Sequence, residues 1–366
     1  MGGLEILALI ALAAQPARAA LVTPTRWMAT DSLSAPAAGP APAERATTAS
    51  PTVRPEGLTG APPDTVSPSR GAARDSLPLR LRDAGVAAAG RPGAELVEPS
   101  GIACDAFGKL YVSDASLHRL ARFAADGGWL GSSGALGSDA EQLHRPGAVA
   151  LLGTLNVALL DRENLRVVTY DLFGHAQGTL IDLAAADLVD ALGRVDPTAL
   201  AADRGGAVYV LDQDRDRVLV FDFSGRFLRS LGGFGPRPGS FRGLAGVAVA
   251  PGGQIVTAER GGARLQRLDP SGSVAATWPL SLEPGRLAVP LAVDDSARVA
   301  VADERRGRLW LFDRGGRLLA ETGGLELPRA LAFAPDGTLL VAEAGAGLVR
   351  RFAIEHVSHP PVARDR

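Results

Sequence analysis

Cysteine is almost missing from this 366-residue chain, where Cys104 stands alone. One thiol cannot form an intrachain disulfide, nor can it build a cysteine-based zinc module. Lysine is equally scarce, with Lys109 the only one among 38 basic residues. Such an arginine bias, with abundant Ala, Gly and Pro, matches GC-rich coding and supplies a bland explanation for any arginine cluster. The 38 basic residues face 40 acidic ones, a net charge of −2, so no basic excess points to nucleic acid. There are five histidines. No apolar run reaches the ~20 residues of a permanent membrane span. With 46% apolar and 21% charged residues, the composition is that of an ordinary globular protein.

Residues 4–14 are apolar apart from Glu5, and Ala17-Arg18-Ala19 has the small-x-small pattern that signal peptidase recognises. Residues 1–19 therefore read as a secretory signal cleaved after Ala19. Its n-region departs from the usual pattern, lacking Lys and Arg. No cysteine lies near the cleavage point, which argues against a lipid anchor. The expected location is secreted or periplasmic, with no transmembrane span in the mature chain. Residues 20–75 are rich in Ala, Pro, Thr and Ser, and Trp27 is their only aromatic residue. A segment with so little apolar surface to bury is expected to be a disordered, passive linker.

The ordered chain then repeats one phrase, seen most clearly over residues 196–231, DPTALAADRGGAVYVLDQDRDRVLVFDFSGRFLRSL. It reads as four short strands. Residues 198–202 form an apolar run after a proline, Arg204-Gly205-Gly206 makes a turn, and residues 208–211 are β-branched and aromatic. A polar loop leads to Val218-Leu219-Val220-Phe221, then the turn Ser224-Gly225 and a last strand over residues 227–231. Four strands of that length cannot close a core alone, so the unit must stack on copies of itself.

An acidic residue ending the second strand, with an arginine five positions later, marks each copy. The pairs are Asp114 and Arg119, Asp161 and Arg166, Asp212 and Arg217, Glu259 and Arg264, Asp303 and Arg308. Glu343 marks a sixth copy, but position 348 is leucine. Successive acids are 47, 51, 47, 44 and 40 residues apart, as four-stranded propeller blades require. Pro99, Pro146, Pro197, Pro290 and Pro328 open the first strand in five copies, and Gly243-Leu244-Ala245 replaces the proline in the fourth. Turn glycines recur after the first and third strands, at Gly206 and Gly225 in the third copy and at Gly315 in the fifth.

These features resemble the NHL repeat, most closely in Val210-Leu211-Asp212, Arg217-Val218-Leu219-Val220-Phe221-Asp222 and Gly225-Arg226-Phe227. The resemblance spans residues 76–354. It implies an all-β fold, a six-bladed β-propeller of four-stranded antiparallel blades. The last copy runs into His356-Val357-Ser358-His359-Pro360-Pro361, a poor strand, and residues 355–366 read as a flexible tail. Residues 77–82, LPLRLR, alternate apolar and polar side chains. They are expected to supply the outer strand of the sixth blade and remove the open edge.

Two readings compete for the acid–arginine pairs. In one, each carboxylate organises its own loop; in the other, six carboxylates converge on a metal; recurrence in nearly every blade favours the first, since a site needs a few convergent groups. By the resemblance, the loop after each second strand shares a rim with the inter-blade connections. That rim would carry His118, Arg162, Asn164, Arg215, Arg260 and Arg305, a collar suited to an anionic group. Against this, Glu163, Asp214, Asp216 and Glu304 are interleaved with it. Cys104 reads as a small core residue. Histidine supply is poor for zinc, because only His118 and His144 could share the rim.

The expected function is non-catalytic binding or scaffolding by a monomer, with an envelope or extracellular protein or an anionic glycan as partner and no cofactor. The alternative is a metal-dependent hydrolase or lyase, resembling lactonases or amidating lyases, with calcium or zinc in the central channel. That resemblance is of architecture only.

Overall fold

The computed structural model describes residues 77–250, 252–280, 282–283 and 288–357. Six four-stranded antiparallel sheets follow one another along the chain. Their innermost strands touch in a closed cycle, the sixth against the first, so the fold is a six-bladed propeller. Blades 1 to 5 take residues 99–133, 146–182, 197–232, 244–279 and 291–323. Blade 6 takes its three inner strands from residues 328–356 and its outer strand from Leu79–Ala88. The expected signal, 1–19, and linker, 20–75, lie outside the described residues, as does the tail from 358 onwards.

The closing strand runs further than the sequence suggested. Leu79 pairs with His356, Leu81 with Ile354 and Ala88 with Val349, across two register shifts. Because Arg80 and Leu79 give Glu355 and His356 partners, the last strand also continues two residues past 354. A further bond from the Val357 amide to the Pro78 carbonyl, 3.1 Å, extends the ladder by one step.

Burial follows from the pleat. Alternate residues of each second strand point to opposite faces, and each face meets a neighbouring blade. Val208 and Val210 join the cluster between blades 2 and 3, while Tyr209 and Leu211 join the one between blades 3 and 4. Such a strand is largely apolar on both faces, as in Val208-Tyr209-Val210-Leu211, with Ser113 and Thr257 as buried polar exceptions in blades 1 and 4. The outer strands face water on one side and do alternate, as in Trp129–Ser133.

Two local features were not in the sequence reading. A short helix, Ala186–Leu192, occupies the longest spacing, that between Asp161 and Asp212, and rests Leu188 and Leu192 against the interface of blades 2 and 3. In the fifth blade the left-handed turn residue is Gly316, with φ +88°, and not Gly315. A Cβ on Gly316 would fall 2.6 Å from the Trp278 ring of blade 4, so the neighbouring blade also requires glycine there.

Candidate functional site

The axis of the ring holds a cavity of about 360 Å³ to which all six inner strands contribute. Its wall is layered, and the layering follows from strand register. Ile102, Val149, Leu200, Val247, Leu291 and Leu331 each pair with the residue two before their blade's acid. They form a ring of six aliphatic side chains in the channel. One residue closer to the mouth the side chains are small: Gly101, Ala148, Ala199, Gly246, Pro290 and Ala330. A Cβ on Gly101 would meet the Gly147 carbonyl at 2.3 Å, and one on Gly246 the Val289 carbonyl at 2.5 Å. No larger residue fits at either point.

The mouth is polar. In five blades the inner strand carries a register shift just after its first residue. A bulge re-aims the side chain beside it, and three such side chains, Ser100, Thr198 and Arg329, line the cavity. In four blades the residue after the buried acid adds to the mouth: Arg162 and Gln213 line the cavity with Asp196, and Arg260 and Glu304 contact its lining at Ala288 and Arg329. Thr198 Oγ1 is buried without a hydrogen-bond partner, and its setting is the channel wall.

Charges at the mouth are paired across blades. Arg145 of the second blade's approach lies 3.1 Å from Glu98 at the first. Arg329 of blade 6 has Nε 3.1 Å from Glu304 Oε1 of blade 5 and a second nitrogen 4.0 Å from Glu98. Arg162 lies 3.7 Å from Asp196. Glu304 is only 3% exposed. Burial raises its pKa, opposed by the Arg329, Arg260 and Arg305 guanidinium groups. Arg260, also buried, donates to the Glu283 and Ala288 carbonyls at 2.7 and 3.3 Å. Burial lowers its pKa, with Asp303 and Glu304 acting the other way.

The other rim candidates are held in local structure. His118 adopts a left-handed backbone, φ 52°, and its Nδ1 accepts the Arg145 amide at 3.0 Å. Its ring is 5.7 Å from that of His144. Asn164 donates to Asp161 Oδ2 at 2.7 Å and to the Gly137 carbonyl at 2.9 Å, at a depression on the flank of blade 2. Arg215 donates to the Arg194 carbonyl, and the Arg305 amide donates to Asp303 Oδ1.

All six repeat acids are fully buried. Each accepts an amide from the segment leading into its own inner strand: Val97 and Glu98 for Asp114, His144 for Asp161, Asp196 for Asp212, Arg242 for Glu259, Glu283 for Asp303 and Glu326 for Glu343. These carboxylates thus sit behind the mouth and pin the loops that form it. Arg166, Arg217 and Arg264 lie 2.8, 2.8 and 2.7 Å from their acids. Each also donates to carbonyls of the preceding connection, such as Gln142, Leu192 and Ser240.

Arg119 and Arg308 differ. Arg119 donates to the Glu95 carbonyl and lies over the Trp129 ring at 5.2 Å, because the chain entering blade 1 comes from the closing strand and not from a blade. Arg308 approaches Glu321 at 3.9 Å.

A metal fits poorly. Among the described residues no three His, Cys, Asp or Glu groups are placed to share an ion, and Asp196, which lines the cavity, and Glu304, beside its lining residue Arg329, already face arginines. Burial pushes the Cys104 thiol up to about 12, which leaves little thiolate near neutral pH.

Sequence reasoning missed Glu98, Ser100, Asp196, Thr198 and Gln213 as mouth residues. A signal was present. Gln213, like Arg162, directly follows a repeat acid, and the others flank the strand-opening prolines.

No family model matches the chain, and no curated protein matches it. Similar solved structures exist. A virginiamycin B lyase from Staphylococcus aureus, in a catalytically inactive form with quinupristin, aligns over 75% of this chain and 99% of its own, with TM-score 0.53 and 11% identity. A gluconolactonase from Xanthomonas campestris aligns over 74% of this chain and 88% of its own, with TM-score 0.53 and 15% identity. The likeness is one of fold.

Proposed function

We propose that this chain is an exported, NHL-type binding propeller that takes an anionic group of an envelope protein or glycan at its channel mouth. One observation carries the reading: Arg162 of blade 2 and Arg329 of blade 6, which flank blade 1 on either side, both line the axial cavity. Arg162 has a single long ion pair there, which leaves its planar donor fork available to a carboxylate or phosphate. Thr198 and Gln213 add uncharged donors beside it. Export rests on residues 1–19 alone.

The test is binding of the purified chain to immobilised polyuronate and to a neutral glucan of similar length. Retention on the polyuronate that falls with salt, and falls again in Arg162→Glu, is the expected result. Equal retention on both, or none on either and none with acidic peptides, overturns the reading.

A second reading is a lyase or lactonase with its site in the same channel. It is favoured by the axial cavity, together with the fold shared with the lyase and the gluconolactonase. If that reading holds, lactone turnover appears on adding calcium or zinc and disappears with chelator.

A further inference from the structure

We infer that the channel below the mouth is a site for a short aliphatic carboxylate, a ligand whose acidic head meets Arg162 and Arg329 and whose hydrocarbon tail enters the aliphatic ring. The inference rests on reading the mouth as an anion site, and it adds the part that mouth alone does not specify.

Three observations converge. The ring of Ile102, Val149, Leu200, Val247, Leu291 and Leu331 is aliphatic in all six blades, with no polar side chain in its plane. A wall of that kind gives water no hydrogen-bond partner, so an apolar group displaces it favourably. Between mouth and ring the side chains shrink to Gly, Ala and Pro, which leaves a hydrocarbon chain room to pass. The mouth then offers Thr198 Oγ1, buried and without a partner, beside Arg162, Gln213 and Arg329. Charge at the top and hydrocarbon below is the pattern of an amphipathic acid, in which polar contacts orient and apolar burial holds.

Calorimetric titration of the full chain with acetate, hexanoate, 1-hexanol and glucuronate separates the parts. Hexanoate should bind at least tenfold more tightly than acetate and than 1-hexanol. In Val247→Thr, which keeps the shape of the side chain, the preference for hexanoate over acetate should shrink severalfold. Arg329→Gln should weaken hexanoate about tenfold and leave 1-hexanol unchanged. Circular dichroism and the melting temperature confirm that each variant is folded. If glucuronate binds but hexanoate gains nothing over acetate, the channel inference is wrong while the mouth reading stands. If none of the three acids binds, both are wrong. Hexanoate binding that ignores both substitutions places the ligand elsewhere and also overturns the inference.

Discussion

Arg350 Nε lies 2.8 Å from Glu343 Oε1, so blade 6 supplies its guanidinium seven positions after the acid. The position opposite the acid in the ladder is Leu348. Arg350 stands one pleat further along the same strand, on the same face, and reaches back.

From this follows a ranking of arginine substitutions. Arg217→Ala strips a buried carboxylate of its cation and should cost about 3–5 kcal/mol. Arg350→Ala should fall in the same range. Arg119→Ala, which gives up one carbonyl bond and a contact with Trp129, should cost about 1 kcal/mol. Urea unfolding of the three variants checks the order, and equal losses would show that the acid contact is not what matters.

Truncation tests the closure of the ring. Removing residues 1–76 should leave the melting temperature of the propeller unchanged. Removing residues 1–88 deletes the outer strand of blade 6 and uncovers the partners of Leu79 and Leu81, at roughly 1.5–3 kcal/mol for each leucine lost from the core. It also bares a strand edge, so association measured by light scattering should appear in the shorter chain only.

Glu304 gives a pH dependence of definite sign. Its folded pKa is raised by burial, so the native state holds that proton more firmly than the unfolded chain does. The stability it contributes is full below the unfolded carboxyl range and is lost as pH rises through the folded value. Glu343 is shifted the same way, again by burial. Glu304→Gln should therefore lose less stability than the parent between pH 4 and pH 7. A steeper loss in the variant would contradict the assignment.

The thiol of Cys104, with its pKa near 12, should react with a disulfide reagent at pH 8 far more slowly than free cysteine. Full reactivity should return in urea. Fast labelling of the folded protein would mean that the strand carrying it opens.

Repetition made the blade count and the ring closure legible, because each strand type recurs and errors at one copy are corrected by the others. Asp212 and Arg217 were readable as a pair for that reason. The mouth was legible only in part, at Arg162 and Arg260, since its residues are the ones that differ between blades: the equivalent bulges carry hydroxyls at Ser100 and Thr198 but a guanidinium at Arg329. Asn164 and Arg215 read as free rim groups, but both bond within their own surroundings, to Asp161 and to the Arg194 carbonyl. Only contacts distant in sequence decide which polar side chain is spent on the fold. Leu291 was hidden differently, because the inner strand of blade 5 is only three residues long, Leu291–Val293, and its place in the aliphatic ring emerges from pairing with Val301.

The closing strand has a mechanical consequence. Leu79, where it begins, is opposite His356, where its partner ends, so the propeller's two described ends leave at the same edge. A pull applied through them loads the ladder one hydrogen bond at a time, starting with Val357 and Pro78. The ring would open as a zipper does, at low force, and the other five blades would stay intact until that strand had peeled away.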